Sequence, residues 1–379
     1  MNLAEILMVN GIGVSMMLFL QLTRLEIPKP HRAGDILYTM MVNLTSCGCV
    51  VEVLTFLLDG LVFPGCRAIS YLLNGFLFWG TTMVGCLWCL FVDFRHHFNG
   101  KRLYYQARYL LIPVFLITAL IFASFFDTGL LFSIDEHNVY HRGRLVWVSY
   151  AFLFLYYAYS ILLSWNKRRS GLQVQFFQVY YFIIPCVAGT VLQFLFYGLT
   201  IGWTTVAIAM LFVHVQVQSM NAYMDPLSGL YNRRYMDYIL KRSKHGQGLY
   251  GVYMDVNNFK GINDRCGHTW GDDAVRTLGD ILTEVTPASS VAIRCAGDEF
   301  LILMPANIDP QGVLDSLERA VEAVNKTGGK PYTVSLATGC SRYDPAQDTL
   351  EDFLMSLDRQ MYSSKTRFYE DQSVDRRRS

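Results

Sequence analysis

Acidic side chains follow two apolar stretches that have the pattern of β-strands. Asp255 lies near the end of the stretch that begins at Leu249, and Asp298 and Glu299 follow the stretch Val291–Ile293 after a short turn. Because stretches of this kind are typical of buried strands, the acidic groups can meet across neighbouring strands. Carboxylates held close together repel each other unless a cation neutralises them. Magnesium with a phosphate ligand is the usual solution, so the pattern predicts a site for phosphate chemistry.

The segment that leads into the second acidic pair predicts a hairpin turn. Its sequence is Ala296-Gly297-Asp298, and a glycine tolerates the positive backbone angle that many such turns need. We therefore expect Gly297 to have a positive φ and to present Asp298 and Glu299 beside Asp255.

These residues resemble the signature of the GGDEF domain, the family of diguanylate cyclases, here in the form AGDEF at 296–300. Further blocks resemble the family in the same order: Asp225–Arg234, Asp255–Asp264 and Gly267–Asp272. Four ordered blocks within about 150 residues are far more specific than a single motif. The resemblance implies an α/β (α+β) domain with a central antiparallel sheet flanked by helices, similar to the ferredoxin-like core of nucleotidyl cyclases.

The resemblance also implies a reaction and a set of site residues. Two GTP molecules would be condensed into cyclic di-GMP with release of two pyrophosphates, in a homodimer whose active sites each join two half-sites. Mg²⁺, or Mn²⁺, would be held by the carboxylates of Asp255 and Asp298 and the backbone carbonyl of Val256. Lys260 would stabilise the transition state beside the phosphates. Either Glu299 or Asp298 would accept the proton of the attacking hydroxyl, and the sequence leaves that choice open.

Five further side chains are implied as substrate contacts. Asp272 can accept hydrogen bonds from the N1 and N2 donors of guanine, which adenine does not offer on that edge, and Asn263 would help it. The implied contacts are Asn263, His268, Asp272, Arg294 and Lys365, the last two at phosphate oxygens.

Several positions depart from the family pattern. Ala296 replaces the first glycine of the signature, Asn257 replaces a usual Asp, Asn258 replaces a common aromatic residue, and Tyr369 stands where an Arg is frequent. None of these changes removes a principal metal ligand, so we expect activity to survive. The Arg-x-x-Asp motif of the family's product-inhibition site is replaced by the sequence at 287–290, so we expect that inhibitory site to be absent.

The composition predicts that the first half of the chain lies in a membrane. Hydrophobic residues make up 52% of the 379 residues and aromatic residues 14%, which is too much for one ordinary soluble domain, and the excess lies in the first 220 residues or so. The net charge of +1 argues against nucleic acid as a partner. Most of the apolar runs approach the length needed to cross a bilayer, and we predict seven spanning helices. The runs are Ile6–Leu22, Ile36–Leu58, Ile69–Phe91, Tyr109–Phe126, Leu145–Trp165, Phe176–Tyr197 and Trp203–Val217.

Loop charge predicts the orientation of these helices. Basic residues collect in the odd-numbered loops, at Arg24, Lys29 and Arg32, at Arg95, Lys101, Arg102 and Arg108, and at Lys167, Arg168 and Arg169. The positive-inside rule then places the odd loops in the cytoplasm. We therefore expect a multi-pass protein of the inner (cytoplasmic) membrane with its N-terminus outside and its catalytic half in the cytoplasm.

Glu52 interrupts the second apolar run, where a carboxyl group is costly. One interpretation is a ligand or proton site in a sensor bundle that responds to an unknown small-molecule or physical stimulus. The other is a protonated side chain bonded to a neighbouring helix. Asn74 and Gln193 are interpreted as residues that form hydrogen bonds between helices.

The predicted organisation has four parts: a transmembrane sensor at 1–217, a helical linker at 218–224, a GGDEF domain at 225–370 and a disordered tail at 371–379. Asp225 and Pro226 are expected to cap and open a helix. Helices are expected at Arg234–Lys244, Phe259–Cys266, Gly271–Val285, Gln311–Thr327 and Leu350–Arg367, and strands at Leu249–Val256, Ser290–Cys295, Glu299–Met304 and Tyr332–Gly339.

Two other functions remain open at this point. A degenerate domain could bind GTP or cyclic di-GMP only as a receptor, although Asp255, Lys260, Asp272 and both signature carboxylates favour an enzyme. The membrane half could instead be a transporter with a regulatory domain, but it lacks the Gly/Pro-interrupted segments typical of transporters.

Overall fold

The computed structural model describes residues 3–23, 32–97, 100–126, 128–168, 178–196, 198–243, 248–287 and 289–378. The chain forms two compact units, and the boundary between them lies between Gln218 and Ser219. Part of the charge pattern that predicts the orientation, at Arg24, Lys29 and Arg169, lies outside the described residues, as does Ala288.

The first unit is made of apolar helices and one small hairpin. Its helices are α1 (Leu3–Leu22), α2 (Arg32–Leu58), α3 (Cys66–His97), α4 (Gly100–Leu110), α5 (Ile112–Phe125), α6 (Val146–Arg168), α7 (Tyr180–Leu195) and α8 (Gly202–Asn221), and its strands are β1 (Phe132–Ile134) and β2 (Tyr140–Arg142).

Six helical segments in the described part of the chain are long and apolar enough to cross a membrane. They are Leu3–Leu22, Ala33–Leu58, Cys66–His96, Gly100–Phe125, Val146–Trp165 and Gly202–Asn221. The sixth predicted span, at 176–197, corresponds to α7, which has only 16 residues and carries Pro185 inside it. The unit is therefore a bundle suited to a bilayer, and a count of seven spans stays a prediction.

The third predicted loop is largely helical. α3 continues to His97, and α4 contains Lys101, Arg102 and Arg108. Arg102 donates through Nε to Asp93 Oδ1 at 3.0 Å, and this pair ties α4 to the end of α3. No proline or glycine interrupts Lys101–Leu110, so nothing in the sequence prevents a helix there.

The hairpin β1–β2 was not predicted from the sequence because its strands have only three residues each. It is antiparallel, with Phe132 opposite Arg142. Asn138 at its tip donates through Nδ2 to the carbonyl of Leu58 at 2.7 Å and accepts from the Gly60 amide at 3.1 Å. The hairpin is thus fixed to the turn between α2 and α3.

The second unit is a five-stranded mixed sheet with helices on both faces. In chain order its elements are β3 (Tyr231–Asn232), α9 (Arg233–Ser243), β4 (Leu249–Val256), α10 (Phe259–Cys266), α11 (His268–Val285), β5 (Val291–Ala296), β6 (Glu299–Pro305), α12 (Pro310–Thr327), β7 (Leu336–Tyr343) and α13 (Leu350–Arg378). The strand order is β3-β5-β6-β4-β7, and every pair is antiparallel except β3–β5. The expected antiparallel sheet is therefore correct for its centre and wrong at one edge.

Successive side chains of the central strands point to opposite faces of the sheet, so each face carries a different set of residues. Met254 and Phe300 point into the core formed with α11 and α12, and both are fully buried. Asp255 and Glu299, one residue away on each strand, must lie on the opposite face. α13 covers that face, because a Cβ on Gly251 would press against Phe353 and Leu357 of that helix. The acidic residues are thus placed beneath α13.

Two expectations about this unit were wrong. Asp225 and Pro226 open a turn rather than a helix. Asp225 Oδ1 accepts from both the amide and the hydroxyl of Ser228, three residues further along, and these bonds close the turn. β7 begins at Leu336, four residues later than expected.

The tail expected to be disordered continues α13 to Arg378. The stretch 371–378 has no glycine or proline that would end the helix.

Candidate active site

The two acidic groups predicted to converge do so. β4 and β6 pair directly, with Asp255 opposite Glu299, and the Val256 amide donates to the carbonyl of Asp298 at 3.1 Å. Burial of Asp298, with Asp255 close to it, raises the pKa of the Asp298 carboxyl above its ordinary value. The site therefore concentrates negative charge that has only partial compensation within the protein.

Lys365 supplies that partial compensation. Its Nζ donates to Asp255 Oδ1 at 2.7 Å from the covering helix α13. Burial alone would lower the pKa of the Lys365 ammonium, but the hydrogen bond to Asp255 and the nearby charge of Asp298 raise it overall. Lys365, predicted to contact phosphate, is thus placed at the acidic pair itself.

Glu299 is held by a residue that the sequence did not single out. The hydroxyl of Tyr253 donates to Glu299 Oε2 at 3.1 Å. Tyr253 lies two residues before Asp255 on the same face of β4, so it is the diagonal neighbour of Glu299 across the strand pair. Burial and the neighbouring acidic side chains raise the pKa of the Tyr253 phenol, which keeps it a hydrogen-bond donor. Only the strand register could have identified this contact.

The signature hairpin is shaped by Arg294 and not by a positive φ at glycine. Gly297 is not among the described glycines that have a positive φ. The expectation that the turn needs a glycine there for its positive φ was therefore wrong. A register shift between Arg294 and Ala296 bends β5 instead. Arg294 donates through Nε and Nη2 to the Gly297 carbonyl at 3.0 and 2.7 Å, and through Nη1 to Asp225 Oδ1 at 2.9 Å.

These contacts assign Arg294 and Asp225 to the support of the hairpin. The predicted phosphate contact of Arg294 would have to compete with three donations that the guanidinium already makes. Burial would raise the pKa of Asp225, but hydrogen bonds from Ser228 and Arg294 outweigh it and hold the pKa below its ordinary value. Asp225 is therefore a charged partner of Arg294, which sequence reasoning had interpreted as a helix cap.

A short loop after β4 leads into α10, whose first turn carries Lys260, the residue predicted to contact the phosphates. Asn258 has a left-handed backbone, with φ at 55°, and its amide donates to the hydroxyl of Tyr369 at 3.2 Å. Lys260 follows in the first turn of α10 and is exposed. Tyr369, which was noted as a departure from the family, thus contacts the loop directly from α13.

The side chains predicted to bind the guanine base lie around the start of α11. A Cβ on Gly271 would overlap Oδ1 of Asn263, so the carboxamide of Asn263 rests against the backbone of Gly271. Asp272 is the next residue, is half exposed, and has its carboxylate 3.9 Å from Arg276 of the following turn. His268 is exposed at the first position of α11. Asn263 and Asp272 are therefore brought together at a solvent-exposed edge.

The donors at the acidic pair suit a hard divalent cation. They are carboxylate and backbone carbonyl oxygens, the ligands that Mg²⁺ prefers. No group of three or more His, Cys, Asp or Glu side chains arranged for an ion occurs among the residues with described positions. Mg²⁺ commonly binds through one or two carboxylates together with substrate phosphates, so Asp255, Asp298 and Val256 fit such an ion.

Comparison with known proteins agrees with this geometry. Residues 222–369 match the family model described as diguanylate cyclase, GGDEF domain. Diguanylate cyclase DgcS of Shewanella oneidensis is 33% identical over 156 residues, which cover 40% of this chain and 52% of that protein. Probable diguanylate cyclase DgcC of Escherichia coli is 27% identical over 178 residues, covering 45% and 48% of the two chains.

A third relative is the response regulator PleD of Caulobacter vibrioides, which is 31% identical over 158 residues, covering 38% of this chain and 34% of that protein. The chain thus matches between about a third and about half of the length of these relatives. The family match at residues 222–369 falls within the second unit.

Proposed function

We propose that this chain, in which residues 222–369 form a GGDEF domain, is a membrane-bound diguanylate cyclase that condenses two GTP molecules into cyclic di-GMP and two pyrophosphates. The observation that carries the proposal is the convergence of Asp255, Asp298 and Glu299 beneath α13. The same domain brings Asn263 against the residue before Asp272, which suits the two side chains to bind guanine. The similarity to named diguanylate cyclases supports it.

In this proposal the acidic pair binds the triphosphate through a cation. Asp255, Asp298 and the carbonyl of Val256 would hold Mg²⁺ or Mn²⁺, which when bound offsets phosphate charge and polarises the phosphoryl group under attack. Lys260 offers its exposed ammonium to the phosphates. Lys365 holds Asp255 in place and neutralises part of its charge.

Proton transfer is assigned to the hairpin. The attacking 3'-hydroxyl of one GTP must lose its proton as it bonds to the α-phosphorus of the other, and pyrophosphate leaves. Glu299 is oriented by Tyr253, whereas Asp298 has a raised pKa. We favour Glu299 as the acceptor, because Asp298 is committed to the cation.

The oligomeric state and the cellular location follow from the same reaction. Each GTP must face a second one, so the active form is a homodimer that joins two half-sites. The apolar helices of the first unit support a location in the inner (cytoplasmic) membrane, with the GGDEF domain in the cytoplasm where GTP is found. α8 continues from the membrane bundle to Asn221, which makes it the connector through which a stimulus would act.

The test uses the full-length protein in lipid nanodiscs. The purified dimer, given GTP and magnesium chloride, is expected to produce cyclic di-GMP and two equivalents of pyrophosphate for each product molecule. Binding of GTP with no product from a confirmed dimer would instead support a receptor.

Gly297→Ala is expected to leave the fold intact and to remove most of the activity. A Cβ at this position would meet nothing within 4 Å, and Gly297 has no positive φ, so alanine strains neither packing nor backbone. The open space lies on the hairpin where the phosphates are proposed to approach. A displacement of about 1 Å in a reacting group can cost about a hundredfold in rate.

The measurements are the melting temperature and the initial rate of cyclic di-GMP formation. Ala296→Gly is the matched control, since it changes the neighbouring residue by the same methyl group and should change the rate little. Full activity of Gly297→Ala would show that the nucleotide does not pass this side of the hairpin.

A further inference from the structure

The bundle of the first unit contains a cavity of about 290 Å³. This is close to the lower end of the range of about 300–1,000 Å³ that small-molecule sites span. Side chains from α2, α3, α6, α7 and α8 line it, together with β2 and the loop before α8. The proposed catalytic reaction makes no use of it.

Glu52 is the chemically distinctive residue of the lining. Its side chain lies inside the bundle and is 3% exposed, and its Oε2 has no hydrogen-bond partner among the described residues. The carboxamides of Asn10 and Gln193 lie close enough to form hydrogen bonds with the carboxyl group. An acidic group with unused bonding capacity at such a depth is costly and favours a functional role.

Aromatic rings and an excess of negative charge surround the rest of the cavity. Tyr150 and Tyr157 of α6 and Trp203 of α8 line it with aromatic side chains. The acidic residues of the lining are Glu52 and Asp59, and the basic one is Arg142, which donates to the carbonyl of Gln193. Carboxylates and aromatic faces together are the features that attract organic cations.

The cavity reaches the end of the bundle where the hairpin sits. Asp59, Tyr140 and Leu199 belong to three different connections, and all line it. The amide of Tyr140 donates to Asp59 Oδ1 at 3.1 Å, which joins the hairpin to the turn after α2. These are the even-numbered connections that loop charge predicts to be outside, so a ligand would enter from the outer side of the membrane.

We propose that this cavity is a binding site for a small organic ammonium ion with an apolar body, whose charged group pairs with Glu52 while its body packs against the tyrosine and tryptophan rings. The ligand is a monoamine rather than an anion or a neutral solute. A buried carboxylate whose negative charge is only partly compensated gains most from a positively charged partner.

Trp203 links this site to the rest of the chain. Its indole lies against Gly48 of α2 and Gly80 of α3, where a Cβ on Gly48 would overlap the ring and one on Gly80 would approach it to 3.0 Å. Trp203 belongs to α8, the helix that ends at Asn221. A ligand against this ring would bias the position of α8, and this regulatory consequence rests on the proposed cyclase function, whereas binding itself does not.

The experiment measures binding in the absence of GTP. The full-length protein in nanodiscs is titrated with phenethylamine, and its tryptophan fluorescence and melting temperature are followed. Phenethyl alcohol and phenylacetate serve as the neutral and anionic analogues of the same shape. We expect saturable binding of the amine, and binding of the two analogues weaker by about tenfold or more.

Two variants and one control identify the site. Glu52→Gln keeps the size of the side chain and is expected to weaken amine binding by about tenfold or more. Glu136→Gln makes the same chemical change at an exposed position near the hairpin tip and should bind like the wild type. Thr81→Leu keeps the carboxylate but fills part of the cavity, so it should weaken phenethylamine and leave the smaller butylamine less affected.

Three results would overturn the proposal. They are no binding of either amine to the wild-type protein, equal binding of phenethylamine and its alcohol, or equal binding to the wild type and Glu52→Gln. If Glu52→Gln does not fold, the comparison of the two amines on Thr81→Leu decides, and no difference between them would place binding elsewhere. Rates of cyclic di-GMP formation are measured separately, so an inactive cyclase domain would not obscure the result.

Discussion

Asp298→Asn is expected to lower the rate of cyclic di-GMP formation by about a thousandfold or more, while the protein stays folded. The substitution keeps the shape of the side chain and removes one of the two carboxylates proposed to hold the cation. Removal of one electrostatic element from a preorganised site commonly costs about a hundredfold to a thousandfold. Here the same change also weakens binding of the triphosphate, which adds to the loss.

The expected effect on stability has the opposite sign. Asp298 is half-buried beside Asp255, and its raised pKa shows that its charged form is disfavoured in the folded protein. A neutral amide relieves that repulsion, so the nucleotide-free variant should melt at the same temperature as the wild type or higher. Magnesium with a non-hydrolysable GTP analogue should stabilise the wild type and have little effect on the variant.

Glu318→Gln is the control for this experiment, because it neutralises an exposed acidic residue on α12 away from the site. It should preserve both the rate and the response to magnesium. Retention of activity within about tenfold by Asp298→Asn would be incompatible with a cation held between Asp255 and Asp298, since a lost ligand costs more than that.

The sequence was sufficient to predict the convergence of the acidic residues, and the reason is local. Asp255 lies near the end of β4 and Asp298 follows β5. The hairpin of β5 and β6 carries the second acidic pair, and β6 pairs with β4. The family blocks then predicted that Asn263 and Asp272 belong to one site. The elements around them formed close to the expected residues because their apolar periodicity is strong.

Contacts that depend on register or on distant helices were not accessible from the sequence. Tyr253 reaches Glu299 only because β4 and β6 pair with Asp255 opposite Glu299. Lys365 meets Asp255 across 110 positions of sequence, and no local pattern reveals which face of the sheet α13 covers. The phosphate role expected for Lys365 came from resemblance and remains a proposal.

The turn residues show a different limit. A glycine in a predicted hairpin suggests a positive φ, yet Gly297 lacks one because Arg294 and a bulge shape the turn. The hairpin β1–β2 was hidden because its strands are so short. The cavity around Glu52 was hidden because it is created by packing of helices far apart in the chain. Glu52 could be recognised as unusual, but its surroundings required the structure.

The proposed site for guanine offers a second large effect that can be tested without changing any residue proposed to touch the base. Gly271→Ala places a Cβ where Oδ1 of Asn263 now lies, and the carboxamide must rotate away. The atoms that must move belong to the end of a flexible side chain, so the fold should tolerate the change. We expect KM for GTP to rise by about a hundredfold, because a site built to hydrogen-bond a substrate discriminates strongly when a partner is lost.

A double-mutant cycle with Asn263→Ala separates this mechanism from general damage. Asn263→Ala alone should raise KM to a similar extent. In that background Gly271→Ala has room for its methyl group, so it should cost nothing further in KM and should raise the free energy of unfolding by about 0.5–1 kcal/mol, the usual gain from replacing a glycine inside a helix. Additive effects of the two substitutions on KM would mean that Gly271 acts on the nucleotide directly and not through the carboxamide of Asn263.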